Sequence, residues 1–182
     1  MPSVPFLSCV AFACLCLWSG SVVAQDRVIV TLGGDVSERN RDQTGPDDVT
    51  FFRVMGVEFE SAFAVTDGML SGLAQESLAA PLPGTEGPEM VFTGPLLDDV
   101  AALAGASEKT LAPLALDGYQ QDITPDLIDA HSPIFATHMN GVPLAVGDLG
   151  PAMIVFPDQN DTTLDEELGV LEVWAVFYIE VK

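Results

Sequence analysis

The sequence has three cysteines, and none of them lies beyond Cys16. All three fall in an apolar run over residues 4–18, which at roughly 15 residues is shorter than the ~20 that a membrane-spanning helix needs. The small residues Val22-Val23-Ala24 that follow are typical of a signal-peptidase site. We therefore expect residues 1–24 to be a signal peptide, cut after Ala24, and the protein to be periplasmic without any thiol. The alternative is an uncleaved amino-terminal anchor.

Basic residues are also scarce. The sequence has 6 Lys and Arg against 27 Asp and Glu, which gives a formal net charge of −21 at pH 7. Six basic side chains are too few to form a phosphate-binding surface. We therefore expect no nucleic-acid partner. Hydrophobic residues make up 48% of the chain, enough to bury a core, and the acidity favours solubility. A field of this sign also attracts cationic partners.

The sequence lacks a recognisable catalytic or metal-binding motif. The two histidines, His131 and His138, have no neighbouring cysteine to complete a metal site. No serine stands in a Gly-x-Ser-x-Gly elbow, and Gly33-Gly34 is too short to hold a phosphate. Because acidic residues are so abundant, a pair of carboxylates carries little information. We predict no catalytic residue and no metal ligand.

What the chain does contain is a series of short strands with few helices. Apolar runs and turn residues predict strands over 25–34, 50–59, 62–65, 77–80, 111–116, 134–139, 142–144, 152–156 and 171–181. Helices are predicted from an N-cap at Asp67 to residue 73, over 96–105, and from Thr124-Pro125 to about residue 130. Asn140-Gly141 predicts a tight hairpin. Without strict strand–helix alternation, this pattern favours a mixed, β-rich α+β fold with about three short helices.

Polar and aromatic residues follow several predicted strands and form the candidate ligand-binding set. Asp117 and Tyr119 follow one strand, His138 and Asn140 end another, and Trp174 lies in the last. Gathered around one pocket, they would suit a planar ligand that stacks on an aromatic ring and donates N–H groups to a carboxylate. The alternative is that Asp117 only forms a turn and Trp174 only fills the core.

Several segments together resemble the sulfite-oxidase-type molybdopterin-binding domain. They are Phe92-Thr93-Gly94-Pro95-Leu96-Leu97, Val100 with Ala104-Gly105-Ala106, Asp117-Gly118-Tyr119, Ala136 with Met139-Asn140-Gly141 and Pro143-Leu144, Gly150-Pro151, and Trp174 with Ile179-Glu180-Val181. The ordered set spans about residues 60–182, with 25–59 as preceding strands and a polar loop. The chain most resembles the short, secreted, cysteine-less branch of that superfamily, which includes periplasmic pterin-binding proteins.

The resemblance implies a fold and a function. The fold would be the sulfite-oxidase-like one, and Glu86, in the Gly-rich loop 84–87, joins the candidate ligand-binding residues. The cysteine of the enzymes would correspond to the segment Leu78-Ala79-Ala80-Pro81, which has no sulfur ligand for molybdenum. The implied function is a non-catalytic sensor that binds a pterin and signals to a membrane protein.

Two other functions stay open at this point. One is a molybdopterin-dependent oxidoreductase that holds its cofactor without a thiolate, and the other is an interaction module with a vestigial pocket. The chain has Gly84, Gly147, Leu149 and Leu171 where the resembled branch has a tryptophan and three basic residues. That difference disfavours a phosphorylated pterin.

Overall fold

The computed structural model describes residues 26–45, 50–82, 85 and 87–182. The predicted signal peptide and the candidate residue Glu86 lie outside the described residues. Within the described ranges, no helix is both long enough and apolar enough to cross a membrane.

The largest sheet has five strands and joins the two ends of the described chain. Its strands are β1 (Val28–Gly34), β2 (Arg41–Asp42), β3 (Ser61–Thr66), β6 (Leu111–Ala115) and β11 (Val176–Val181), in the order β2-β3-β1-β11-β6. β1 runs parallel to β11, and the other neighbouring pairs are antiparallel. The buried centre of β1, Ile29–Gly33, reflects this position between two partners.

Two smaller sheets complete the β structure. One contains β4 (Glu76–Pro81), β5 (Glu89–Gly94), β8 (His138–Met139) and β9 (Val142–Pro143), in that order, and the other pairs β7 (Ile134–Ala136) with β10 (Met153–Val155). The predicted hairpin is confirmed, since β8 and β9 pair on either side of Asn140-Gly141. Both turn residues have positive φ, 51° and 75°, as a two-residue turn of this kind requires.

The described helices are short. They are α1 (Phe51–Val54), α2 (Asp67–Ser71), α3 (Leu97–Leu103), α4 (Pro125–His131) and α5 (Thr162–Gly169). α2 begins one residue earlier than its predicted cap suggests, because the Thr66 hydroxyl, and not Asp67, accepts the Met69 N–H. α3 and α4 lie where their apolar spacing and Thr124-Pro125 start signal predict them.

The main core lies between the five-stranded sheet and the helices. α3 contributes Leu97, Val100, Ala101 and Ala104, all essentially inaccessible to solvent, as its periodicity predicts. A second cluster, around Phe52, Phe59 and Tyr178, covers the other side of the large sheet. The five-stranded sheet is therefore covered on both faces.

The predicted strand over 50–59 is wrong. Residues 51–54 form α1, because Phe52 packs against Phe59 and Tyr178, with ring centroids 5.4 and 6.0 Å away. This packing overrides the β propensity of the Phe51-Phe52 pair. Two further differences concern the end of the chain: α5 was not predicted, and β11 begins at Val176, so Trp174 precedes the last strand.

Gly94 is a position where the fold needs the absence of a side chain. A Cβ there would overlap the Phe135 carbonyl oxygen, because β5 approaches β7 closely at this point. We expect Gly94→Ala to lower the free energy of unfolding by about 3 kcal/mol or more. Gly169→Ala is the matched control, since nothing lies within 4 Å of a Cβ at that helix end. Urea unfolding of both variants measures the difference, and equal stability would contradict this close packing.

Candidate functional site

Three of the candidate residues meet at one pocket. Asp117, Tyr119 and Trp174 line a cavity of about 410 Å³, which we call the aromatic pocket. Its other lining residues are Ala115, Glu166, Gly169, Val170 and Glu172. The pocket therefore lies where the turn after β6, the end of α5 and the chain before β11 come together.

A tight turn after β6 positions Asp117 and Tyr119. One carboxylate oxygen of Asp117 accepts the Tyr119 N–H at 2.9 Å, and Gly118 takes a φ of 92°, which glycine adopts without strain. The Tyr119 hydroxyl donates to the Val170 carbonyl oxygen at 2.6 Å, so the turn is tied to the end of α5. Tyr119 is still 42% exposed, which leaves part of its ring accessible to a ligand.

Trp174 owes its position to an irregular stretch of extended chain. Val173 is fully buried, while Trp174, the next residue, is 41% exposed, as the alternation of an extended chain dictates. Ala175 then takes a φ of 50°, which is uncommon for alanine and interrupts the alternation. The tryptophan is therefore a wall of the aromatic pocket and does not fill the core.

Glu172 is a half-buried carboxyl between two cavities. It lines the aromatic pocket and also a cleft of about 290 Å³, which we call the acidic cleft because Glu89, Asp158 and Asp165 line it as well. Its Oε1 accepts the Phe156 N–H at 3.1 Å. Burial raises the pKa of Glu172 to about 7 against the opposing effect of that N–H, and the Asp165 carboxylate adds to the rise.

His138 and Asn140 lie elsewhere, on the four-stranded sheet. Nδ1 of His138 is 2.9 Å from the Thr137 hydroxyl oxygen. The Asn140 side chain accepts the Val91 N–H at 2.9 Å, and its backbone N–H donates to the Val91 carbonyl oxygen at 2.7 Å. Asn140 thus fastens the hairpin to β5, and the residues that line the aromatic pocket include neither His138 nor Asn140.

The charged residues that line the aromatic pocket are all acidic. Asp117, Glu166 and Glu172 line it, and the described residues around it include no Lys, Arg or His. Two partly exposed aromatic rings next to carboxylates can stack on a planar ligand and accept its N–H groups. An anionic ligand would meet repulsion and no counter-charge.

The segment expected to replace the enzymes' cysteine lies at the acidic cleft. Ala79, Ala80 and Pro81, at the end of β4, line this cleft and supply only backbone and apolar atoms. The resemblance implies that the enzymes hold molybdenum through a soft sulfur ligand at this segment. In the described ranges, no three His, Cys, Asp or Glu side chains are grouped to hold a metal ion. The described residues of this segment therefore do not fit a thiolate-held molybdenum centre.

Comparison with known proteins gives the fold. No protein-family model matches the chain, and no curated protein does. Among solved structures, it is similar to the sulfane dehydrogenase SoxCD from Paracoccus pantotrophus, with a TM-score of 0.54 and 16% sequence identity. The similarity is one of fold. The match covers 87% of this chain and spans 39% of the SoxCD chain. The predicted mixed, β-rich α+β fold of the sulfite-oxidase type is confirmed.

Sequence reasoning missed three of the polar residues at these cavities. Glu166 was missed together with α5, although Leu164 and Leu168, one helical turn apart, and the acidic cap Asp161 indicate a helix there. Asp165 lies in the same helix and was missed with it. Glu172 carries no such local signal, because it is one acid among 27. What singles Glu172 out is its burial, which depends on where the chain around Phe156 lies.

The raised pKa of Glu172 has a consequence for stability. Between the usual value of 4.5 and about 7, the folded protein keeps a proton that the unfolded chain has released, so stability falls as the pH rises through this window. Glu172→Gln keeps the acceptor for the Phe156 N–H but cannot ionise. We expect it to exceed the wild type in stability above the window, by at most on the order of 3 kcal/mol, and to match it below.

Urea unfolding at a series of pH values measures this effect. Glu167→Gln, an exposed change on the same chain segment, is the control and should follow the wild type. A Glu172→Gln variant whose stability keeps the wild-type pH dependence would show that Glu172 ionises normally in the folded protein.

Asn140 should matter for stability. Alanine at a φ of 51° is strained, and Asn140→Ala also removes the acceptor for the Val91 N–H. We expect a loss of about 2 kcal/mol in the free energy of unfolding. Asn140→Gly keeps the backbone conformation and should lose about half as much. Thermal or urea unfolding compares the two, and an alanine variant as stable as the wild type would refute this role.

Proposed function

We propose that this chain is a non-catalytic ligand-binding protein that takes a pterin or a similar planar, N–H-donating heterocycle in the aromatic pocket. One observation supports this most: Tyr119 and Trp174, both partly exposed, flank the same cavity as the Asp117 carboxylate. A pterin ring offers a flat face for stacking and an edge with amino and ring N–H groups. Catalysis is not part of the proposal, since the pocket contains no nucleophile beside a base.

The charge of the site narrows the ligand further. Because the lining residues are neutral or acidic, we propose that the ligand carries no phosphate. The whole chain repels anions in the same way, with its formal net charge of −21. We therefore expect the pocket to bind a free pterin more tightly than molybdopterin, which carries a phosphate.

The likeness to periplasmic pterin-binding proteins extends the proposal to location and partner. We propose that the chain is exported through residues 1–24 and that a membrane signalling protein responds to the bound state. Trp174 and Val170 are both exposed and both line the pocket, so we expect their environment to change when a ligand enters.

Titration of the purified protein with pterins tests the binding proposal. We expect oxidised or reduced pterin to release heat and to change the fluorescence of Trp174, and a pterin phosphate to bind more weakly. Trp174→Ala should weaken binding about tenfold or more, because it removes the stacking face. Asp117→Asn keeps the turn hydrogen bond but loses the charge, and we expect this change alone to weaken pterin binding about tenfold.

Asp129→Asn is the matched control for the charge change, because Asp129 is exposed on α4 and does not line the pocket. It should bind as the wild type does. If no pterin binds the wild type, the proposal is wrong. If binding is unaffected by both Trp174→Ala and Asp117→Asn, the ligand lies elsewhere and the aromatic pocket is vestigial.

A further inference from the structure

Glu172 is the acidic group best placed to sense a ligand. Glu172 and Gly169 are the two described residues that line both the aromatic pocket and the acidic cleft. Glu172 therefore forms part of the wall between two spaces that a ligand or water can enter. A change in the charge of Glu172 therefore alters the electrostatic potential in both the aromatic pocket and the acidic cleft.

The orientation of the Glu172 carboxyl is fixed from one side. Oε1 accepts the Phe156 N–H at 3.1 Å, just after β10, and Phe156 is itself buried. One oxygen is thus held by the backbone in a half-buried setting. A carboxylate in such a setting is stable only with further hydrogen-bond donors or a positive charge.

The described residues that line the two cavities supply no positive charge. The titratable groups that line the two cavities with Glu172 are Glu89 of β5, Asp158 after β10, Asp165 and Glu166 of α5, and Asp117 and Tyr119 after β6. None of these described groups is basic. Further donors for the carboxylate can come from a ligand, or from water, that enters either cavity.

On the basis of the proposed function, we infer that Glu172 selects a ligand that presents N–H donors or a positive charge, and that binding such a ligand displaces the proton from those Glu172 carboxyl groups that carry one. The proton leaves the Glu172 carboxyl for solvent, and the carboxylate that remains accepts the ligand's N–H groups. Asp117 and the aromatic rings hold the ligand, while Glu172 makes its uptake sensitive to pH.

The direction of the pH dependence follows from this exchange. Burial raises the pKa of Glu172 to about 7, so a large share of the carboxyl groups carries a proton at neutral pH. Below that value a donor ligand must displace the proton, and affinity falls towards tenfold per pH unit. Above it the carboxylate is already formed, and Glu172 no longer contributes to the pH dependence.

Calorimetric titration with pterin tests this inference. Dissociation constants would be measured from about pH 5.5 to about pH 7.5, and near pH 6.5 in both phosphate and Bis-Tris, so that the buffer dependence of the heat counts the released protons. We expect wild-type affinity to rise about twentyfold more over this range than that of Glu172→Gln. Ionisation of pterin itself is common to both proteins and cancels in the comparison.

Glu167→Gln, exposed and outside both cavities, is the matched control and should reproduce the wild-type profile and proton count. Because the glutamine side-chain oxygen can still accept the Phe156 N–H, we expect Glu172→Gln to fold. An unfolding curve of the variant verifies this. Pterin binding with the same pH profile and proton count in wild type and Glu172→Gln overturns the role of Glu172 and leaves the pterin proposal standing. Absence of pterin binding by the wild type at every pH overturns both.

Discussion

The short segment 173–176 is hydrogen-bonded on one side to the chain around β10 and on the other to the end of β6, and these contacts position the pocket. The Val173 carbonyl accepts the Ile154 N–H, the Ala175 N–H donates to Leu149, and the Val176 N–H donates to Ala152, each at 2.9 Å. On the other side, the Ala175 carbonyl accepts the Leu116 N–H at 3.1 Å. Buried backbone groups must be paired, so this segment fixes the chain around β10 against the large sheet. Glu172 and Trp174 have their positions because of it.

The fold of this chain is similar to that of an enzyme, but the residues that line its cavities have their own chemistry. The fold is shared with a sulfane dehydrogenase, yet similarity at 16% identity shows only the fold. In this chain carboxylates and aromatic rings are among the residues that line the cavities, and the end of β4 contributes Ala79 and Ala80 in the segment that the resemblance matches to the enzymes' cysteine. Such a lining can stack on a donor-rich ring and accept its N–H groups, while its described residues offer no sulfur ligand to a soft metal. The carboxylates beside exposed aromatic rings therefore support the proposed binding role.

Local signals predicted those parts of the fold that local forces decide. The Asn140-Gly141 hairpin and the amino end of α4 follow from backbone preferences of a few neighbouring residues. Tertiary contacts decide the rest: Phe52 forms a helix because Tyr178 and Phe59 receive its ring. For the site, Asp117, Tyr119 and Trp174 were identifiable as polar or aromatic residues near strand ends. Glu172 was not, because its burial depends on β10, which is distant in sequence.

Amide chemical shifts measured by NMR without and with saturating pterin show whether the aromatic pocket binds a planar donor ligand. The largest changes are expected on Asp117–Tyr119 and on the chain from Glu166 to Trp174, with little change at the Asn140-Gly141 hairpin. Changes centred on the hairpin sheet, or no changes at saturating pterin, would contradict binding in this pocket.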